Sequence, residues 1–575
     1  MPDQLKKPRL ASLDQFRGYT VAGMCLVNFL APFVAIHSVL KHNDTYFSYA
    51  DSIMPGFLFV VGFAFRLTYL KRRRESGRLR TAWSYVRRSG KLLLLSLMIY
   101  AFVGDLPRWL QFREMPPEFQ SFREMPPRTK SFDLLVEGAR DEERGTSENK
   151  ARVASPTLNW PLATGHRPLI EAAERALAEG QSFVPAAVER LRAWRKLGWQ
   201  SRLLIHWRIL AAKLIKSDLW ETLAIIAVTQ LVVLPWIGCR FWTRFAVLAA
   251  LGVTHGLVSY WFNWDFLYGL NGNWMSKAWM TGDDRSWDGG IFGPLNWGIA
   301  LMGGTLAYDL VAATASHAVA VRKLAVWGVA FMVAGYSMSC LTRLYDLSGA
   351  EVVAMRERHL RQDAEKAWLA NVIERQQAVL DDRRRELDGT SPADRKEIEA
   401  EVDRLQGTIL VLEDQQHAYP DLDLAESPVL PPWERLQGRS PRDLFAEPPF
   451  VAPPADDPRI DPPPCIEHRP RNYWMLGKRM PNLSFVTFAT GFEFAIFGLF
   501  VAACDIGGLR LGLFRTLGTN PLAAYFIHGM AGLALALLVP HNVPLASCLA
   551  GFAIASSITY FLVRLLEKRG IYWRL

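Results

Sequence analysis

The sequence predicts an all-α protein: a polytopic membrane helix bundle of about ten transmembrane helices that also carries an extramembrane antiparallel helical hairpin. Three features indicate this class. Apolar runs close to the length that a helix needs to cross a bilayer, about 20 residues, recur along the chain. Every second connection between these runs is rich in lysine and arginine. The charged stretch 351–416 has the apolar spacing of paired helices.

Ten apolar runs are candidate transmembrane helices, because few charged residues interrupt them. No small-residue cleavage site follows the first run, so we expect it to remain as a span rather than to be removed as a signal peptide. The ten candidates are 18–38, 52–70, 89–104, 219–237, 245–262, 291–313, 323–345, 482–503, 517–539 and 544–565.

Lysine and arginine are concentrated at the N-terminus, in alternate connections and in the C-terminal tail. Because cytoplasmic connections of membrane proteins carry the positive charge, we expect an even number of spans with both termini cytoplasmic. These side chains flank the apolar runs instead of forming one patch. The net charge of +10 therefore does not indicate nucleic-acid binding, and the expected surroundings are a lipid bilayer.

Two long connections on the external side interrupt the predicted bundle. The first, 105–218, contains the tandem repeat FREMPPEFQS and FREMPPRTKS, whose proline pairs exclude a regular helix. The expected organisation is the first three helices in 1–104, this insert in 105–218, helices four to seven in 219–345, a second insert in 346–481 and helices eight to ten in 482–575.

The second insert opens with the predicted hairpin at 351–416. Gly389 can end its first helix, and Ser391 with Pro392 can begin its second. Apolar residues at alternating spacings of four and three predict a coiled-coil seam along the second helix. These residues are Ile398, Val402, Leu405, Ile409 and Leu412. The proline-rich stretch 420–470 is expected to be an extended linker.

Polar side chains lie inside or beside the apolar runs, mostly toward the external side. Asn28 lies in the first run, His42 in the connection after it, and Asp51 at the start of the second. Such groups are costly in hydrocarbon unless they face a partner or the bundle interior, so they are candidate functional residues. Taken alone, Asn28 fits an interhelical hydrogen bond equally well, and His42 fits an exposed loop histidine.

Further polar residues occupy later runs. Asn296 begins the sixth, and Asn520 and His528 lie about 80° apart around the ninth. The six cysteines show no spacing typical of a disulfide framework or a metal site, so no metal is expected.

Several of these residues fall in longer motifs, which are spread over both ends of the chain. They are RLASLDQFRGYTVAGMCLVNF (9–29), ADSIMPGFLFVVGF, DGGIFGPLNW, NLSFVTFATGFEFAIFGLF, LGTNPLAAYFIHGM and the terminal RGIYWRL. Together they resemble the transmembrane domain of heparan-alpha-glucosaminide N-acetyltransferase and its bacterial relatives. The resemblance covers the spans, whereas the inserts 105–218 and 346–481 are unlike the short connections of that family.

The resemblance implies acyl transfer from acetyl-CoA, used as a co-substrate, to an amino sugar or another carbohydrate. With the bacterial relatives of this family as the likeness, the expected location is a bacterial inner (plasma) membrane. His42 matches the histidine regarded as catalytic, with His37 as the alternative, and Asn28 matches the asparagine paired with it. Asp14 and Arg17 match positions expected to form a structural ion pair, with contact between Arg17 and a CoA phosphate as the alternative. The residues expected to line the substrate or cofactor site are Asp51, Asn296, Asn520, His528 and Arg17.

The residue types fit this chemistry. A histidine near its unperturbed pKa of about 6.5 can take the proton of an attacking amine or hydroxyl, which is the role we favour for His42. His42 could alternatively be acetylated and pass the acetyl group on. The amide of Asn28 could donate a hydrogen bond to the developing oxyanion.

Other functions remain open at this stage. The acceptor could be a hydroxyl of a surface polysaccharide, and a homodimer is left open. A transporter would use the polar residues as a permeation path, but broken helices in two corresponding halves are not evident in the sequence. A scaffold whose hairpin binds a partner would leave the intramembrane polar residues unexplained.

Overall fold

The computed structural model describes residues 10–43, 46–99, 214–216, 218–270, 286, 288–314, 316–389, 395–418, 423–450, 469–478, 480–536 and 538–573. Within these residues the secondary structure is helical and contains no strand, which confirms the predicted all-α class. The FREMPP repeat and nearly all of the insert 105–218 lie outside the described residues.

The α-helices follow one another along the chain with short 3-10 turns between some of them. They are α1 (Ala11–Leu30), α2 (Tyr49–Ser76), α3 (Arg78–Leu97), α4 (Thr222–Val233), α5 (Phe241–Val258), α6 (Trp264–Tyr268), α7 (Gly293–Ala312), α8 (His317–Ser339), α9 (Gly349–Gly389), α10 (Arg395–Ala418), α11 (Leu483–Phe500), α12 (Gly512–Thr519), α13 (Pro521–Ala536) and α14 (Leu545–Lys568). Two π-helical segments, Ser259–Asn263 and Val501–Ile506, continue α5 and α11.

Five helical stretches of the described chain are long and apolar enough to cross a membrane. They are Tyr49–Ser76, Phe241–Tyr268, His317–Tyr345, Leu483–Ile506 and Leu545–Lys568. Two shorter helices, Thr222–Val233 and Pro521–Leu535, are also apolar. Each of the ten predicted spans overlaps a helix, but the criteria of length and composition support five crossings and do not confirm about ten.

The first helix begins and ends earlier than the predicted span 18–38. Its start is fixed by a tertiary contact, because the backbone N–H groups of Ala11 and Ser12 donate to Asp505 Oδ1 at 3.0 and 3.2 Å. Its end follows from Pro32, which has no N–H to continue the helical hydrogen bonds beyond Leu30. A hydropathy pattern contains no information about the contact with Asp505.

The centre of the bundle is the crossing of α2 and α7. A Cβ atom at Gly62 would lie 1.8 Å from the carbonyl oxygen of Leu301, and one at Gly304 would lie 1.9 Å from that of Phe59. The two backbones are therefore in direct contact, as is typical of helix pairs that cross at small residues. This contact fixes the position of α2, whose first turn carries Asp51.

The predicted helical hairpin is present as α9 and α10. Leu369 packs with Leu412, and Leu380 packs with Val402 and Ile409. Residues later in α9 therefore pack against residues earlier in α10, so the two helices are antiparallel.

Residues 423–450, within the stretch expected to be an extended linker, fold against the bundle instead. Glu447 accepts two hydrogen bonds of 3.1 Å from the guanidinium of Arg469, and Arg469 Nε lies 2.6 Å from Asp346 Oδ1. Arg469 is 1% exposed at its side chain. Because a buried charge needs partners, these ion pairs hold both ends of the insert against the end of α8. We call residues 423–450 and 469–478 the strap.

Candidate active site

The first turn of α2 holds His42 in place. The hydroxyl oxygen of Ser48 accepts from the N–H of Asp51, and the Asp51 carboxylate accepts from the N–H of Ser48, which together form a capping box. Asp51 Oδ1 lies 3.0 Å from His42 Nδ1, and the N–H of Asn43 donates to the same carboxyl group. Asp51 is fully buried. The sequence S-x-x-D that begins the helix therefore also supplies a carboxylate for the imidazole.

This arrangement determines which nitrogen of His42 is available for chemistry. A carboxylate can only accept hydrogen bonds, so Nδ1 carries the hydrogen and Nε2 keeps its lone pair. The side chain of His42 is 35% exposed, whereas that of Asp51 is not exposed. A buried carboxylate behind a partly exposed imidazole is an arrangement that orients a histidine as a base and stabilises the imidazolium that forms.

Asn28 is paired with His528, although 500 positions separate them in the sequence. Asn28 Nδ2 lies 3.3 Å from His528 Nε2. His528 Nδ1 lies 3.2 Å from the carbonyl oxygen of Ala524, so Nδ1–H donates to that carbonyl and Nε2 accepts from the amide. Among the described contacts no hydrogen bond joins Asn28 to His42.

Asn520, Arg17 and Asp14 lie near the other end of α1. Asn520 holds the C-terminal tail, because its amide donates to Ile571 and accepts from the N–H of Trp573, both at 3.1 Å. Arg17 lies 4.0 Å from Asp14, the limit of an ion pair. Eleven residues of α1 separate Arg17 from Asn28, or about 16 Å of helix. The structure thus does not bring these predicted residues to His42.

Asn296 belongs to a separate buried polar cluster. Its amide nitrogen lies 2.9 Å from His255 Nδ1 and donates to the carbonyl of Pro481 at 2.8 Å. The hydroxyl of Tyr473 lies 2.8 Å from the same nitrogen of His255. Sequence reasoning missed His255, although a histidine in the apolar run LGVTHGLV was a usable signal.

His37, the alternative to His42, has a local structural role. Its Nδ1 accepts a hydrogen bond of 3.1 Å from the N–H of Val39 and so caps the 3-10 turn Ser38–Leu40. No carboxylate within hydrogen-bond distance supports its ring among the described residues.

The strap directly contacts the connection between α1 and α2, described over residues 31–43 and 46–48, which we call the His42 loop. The N–H of Phe47 donates to the carbonyl of Pro449 at 2.6 Å, and the N–H of Lys478 donates to the carbonyl of Asn43 at 3.1 Å. The ring of Phe450 lies 6.0 Å from that of Phe47. The second insert therefore forms one border of the site. The sequence did not indicate this contact, because about 400 positions separate these residues of the insert from His42.

Sequence reasoning also missed Glu493, which is 2% exposed in the middle of α11. The signal was present as a single acid in the apolar run NLSFVTFATGFEFAIFGLF. In the described part of the chain, no cluster of three or more metal-ligating side chains is found.

The fold and these contacts define a class of protein: a bundle of membrane-compatible helices that carries a histidine–aspartate pair at the start of one of them. Residues 9–105 match the family described as heparan-alpha-glucosaminide N-acetyltransferase, catalytic. The predicted family resemblance is therefore confirmed over the segment that contains Asn28, His42 and Asp51. A search among curated proteins gave no match. The family implies an acetyltransferase, and with the apolar helices it indicates an integral membrane protein.

Proposed function

We propose that the protein transfers an acetyl group from acetyl-CoA to an amino sugar or another carbohydrate at the external face of a bacterial inner membrane. The observation that carries this proposal is the His42–Asp51 pair, because it lies inside the matched segment and presents a free imidazole nitrogen. The basic connections in the sequence support cytoplasmic termini and, with them, an external His42 loop.

In the proposed reaction His42 acts as a general base. The acceptor nitrogen or oxygen attacks the thioester carbonyl while its proton moves to His42 Nε2, and Asp51 stabilises the resulting imidazolium. The carbon–sulfur bond then breaks, and the electron pair leaves with sulfur. An amide has two N–H donors, so Asn28 can keep its hydrogen bond to His528 and use the second donor for the oxyanion.

Activity of the purified protein tests the proposal. CoA release from acetyl-CoA is measured with amino sugars, with sugars that carry only hydroxyls, and without acceptor. Acceptor-dependent release supports acetyl transfer, and the better acceptor class distinguishes N- from O-acetylation. If the folded wild-type protein releases no CoA with any acceptor, the proposed reaction is wrong.

The variant His42→Ala tests the role of the base. We expect its turnover to fall by about 10²–10⁴, the usual contribution of a general base. His37→Ala is the matched control, because it removes a histidine from the same loop without touching Asp51. Turnover of His42→Ala within a few-fold of wild type would exclude a catalytic role for this residue.

Labelled acetyl-CoA separates the base from the nucleophile mechanism. With His42 as a base, donor and acceptor are bound together, and no acetyl-enzyme accumulates without acceptor. Stoichiometric label on the protein that acceptor discharges, and that His42→Ala lacks, would instead show that His42 is the nucleophile.

A further inference from the structure

Glu493 is an acid inside the bundle that the mechanism above does not use. It lies ten residues after the start of α11 at Leu483, which places it about 15 Å along a helix that begins near the strap. That depth is about half of a hydrocarbon core of about 30 Å. Its side chain is buried, so it faces the bundle interior rather than lipid.

The carboxyl group fits into a space between α1 and α2. A Cβ atom at Gly56 would lie 2.9 Å from Glu493 Oε2 and 3.1 Å from the methyl group of Thr20. Any larger residue at position 56 would displace the acid, so the glycine provides room for it. Gly56 follows Asp51 by five residues on α2, which puts the carboxyl about 7.5 Å below the His42–Asp51 pair along the helix axis.

The groups around Glu493 include no basic partner. Among the described residues, no lysine, arginine or histidine forms an ion pair with it. The titratable groups that face it are Tyr19 from α1 and Tyr49 from α2, whose ring centroids are 6.4 Å apart. A carboxyl group without a cation in an apolar interior is far less costly as the neutral acid than as the carboxylate. Glu493 therefore holds a proton inside the bundle.

Tyr49 begins α2, and its hydroxyl lies close to α1, as the acid does. A Cβ atom at Gly23 would lie 2.7 Å from the hydroxyl of Tyr49, so the phenol reaches α1 about one turn from Thr20. Tyr19 and Tyr49 are only partly buried, whereas Glu493 is buried behind them. A hydroxyl can accept one proton and donate another, so these phenols can pass a proton between the acid and a reacting group.

We propose that Glu493 supplies, through the hydroxyl of Tyr49, the proton that the departing sulfur of the thioester takes up. This inference rests on the proposed function. The acceptor loses one proton to His42 Nε2 as its bond to the carbonyl carbon forms. The carbon–sulfur bond breaks, the sulfur receives the phenolic proton, and Glu493 replaces it. After CoA has left, the imidazolium of His42 gives its proton to the hydroxyl of Tyr49, which passes one on to the carboxylate of Glu493. This return restores every group.

The separation of the two proton carriers suits this reaction. In the tetrahedral intermediate the acceptor atom and the sulfur are bonded to one carbon and point in different directions. A base and an acid on opposite sides of that carbon each need a hydrogen-bond reach of about 3 Å. Glu493 itself lies about 7.5 Å from the His42–Asp51 pair along α2, beyond that reach, so the hydroxyl of Tyr49 is the group that meets the sulfur and Glu493 restores its proton.

The test uses the full-length protein in detergent with acetyl-CoA and the best acceptor. Glu493→Gln keeps the shape and neutrality of the acid but cannot release a proton. We expect its turnover to fall by about 10²–10⁴, with an unchanged KM for acetyl-CoA and an unchanged thermal midpoint. Tyr49→Phe should fall in the same way, and Glu493→Asp should keep more activity than Glu493→Gln.

Thr490→Val is the matched control on the same helix, because among the described residues the hydroxyl of Thr490 donates to the carbonyl of Val486 in its own turn and to no other group. We expect wild-type turnover from it. If Glu493→Gln turns over within a few-fold of wild type, Glu493 is a neutral structural residue and the inference is wrong, while the acetyltransferase proposal stands. If wild type itself transfers no acetyl group, the proposed function fails instead.

Discussion

Asp51 combines two tasks in one side chain, because it completes the cap of α2 and accepts the hydrogen bond of His42. Asp51→Asn keeps the size of the side chain but removes its charge. In a comparable Ser-His-Asp triad the same exchange lowers kcat by about 10⁴. We therefore expect a loss of turnover approaching that size, together with about 1 kcal/mol of stability from the weakened cap.

Kinetics and thermal unfolding of Asp51→Asn measure these two effects separately. Ser52→Ala serves as the control, because its hydroxyl donates to the carbonyl of Tyr49 within the same helix. Full turnover of Asp51→Asn would mean that the carboxylate only caps the helix.

At the residue scale, the sequence reveals local pairs and hides distant ones. Ser48 and Asp51 are three positions apart, so their capping box can be predicted from spacing. The pair of Asn28 with His528 joins helices 500 positions apart and follows from packing alone. Asn296 and Asn520 were predicted to line one site with His528, but the structure gives them His255 and the C-terminal tail as partners.

At the scale of elements, the strap positions the His42 loop from outside the bundle. The aromatic contact between Phe450 and Phe47 accompanies two backbone hydrogen bonds to this loop. Aromatic pairs contribute about 0.5–1.5 kcal/mol beyond the area they bury. We expect Phe450→Ala to lower turnover by up to about tenfold through a less ordered loop.

Phe445→Ala is the control for this change, because Phe445 lies on the same segment but, among the described residues, makes no ring contact with Phe47. Hydrogen exchange of the Phe47 amide should increase in Phe450→Ala and stay unchanged in Phe445→Ala. Equal exchange and equal turnover in both variants would show that the strap does not order the loop.

The ion pairs of the strap make its attachment dependent on pH. Burial on its own raises the pKa of the Glu447 carboxyl, but the hydrogen bonds and charge of Arg469, with the charge of Arg343, hold that pKa below its usual value. Because the folded-state pKa is the lower one, this interaction stabilises the fold above the usual carboxyl pKa of about 4.3. It is lost as the pH falls through the folded-state value.

Thermal unfolding between about pH 7 and about pH 3 checks this prediction. The midpoint of wild type should fall more steeply with acidification than that of Glu447→Gln, which lacks the titrating group. Glu434→Gln, an exposed acid on the same segment, should follow wild type. A Glu447→Gln curve parallel to wild type would contradict a stabilising role for this carboxylate.

At the scale of the whole molecule, apolar patterning predicts which segments are helical better than it predicts how many cross a membrane. All ten predicted spans overlap helices, because a long apolar run must satisfy its backbone hydrogen bonds internally. The number of membrane crossings depends also on the length of each helix and on the charges it carries. α4 and α13 are apolar but short, and α1 carries Asp14 and Arg17 in its first turns. Length and composition therefore identify five crossings and do not decide about helices like these.

Two cysteine variants distinguish ten crossings from five. Leu79 on α3 and Leu360 on α9 are 84% and 71% exposed, so a cysteine at either position can react with a reagent. Five predicted spans lie between them, an odd number, which puts the two positions on opposite sides of the membrane. Only two of the five long helices lie between them, so five crossings in total would put both on the same side.

We expect an impermeant thiol reagent to label Leu360→Cys in intact cells and Leu79→Cys only after permeabilisation, in a background with Cys465 replaced. This outcome follows from the lysines and arginines at the end of α2 and the start of α3, which favour the cytoplasmic side. Cys25, Cys504 and Cys548 are buried, which limits background labelling. Equal accessibility of the two positions would contradict the even arrangement. Labelling of Leu79→Cys alone would invert the orientation and move His42 to the cytoplasmic face.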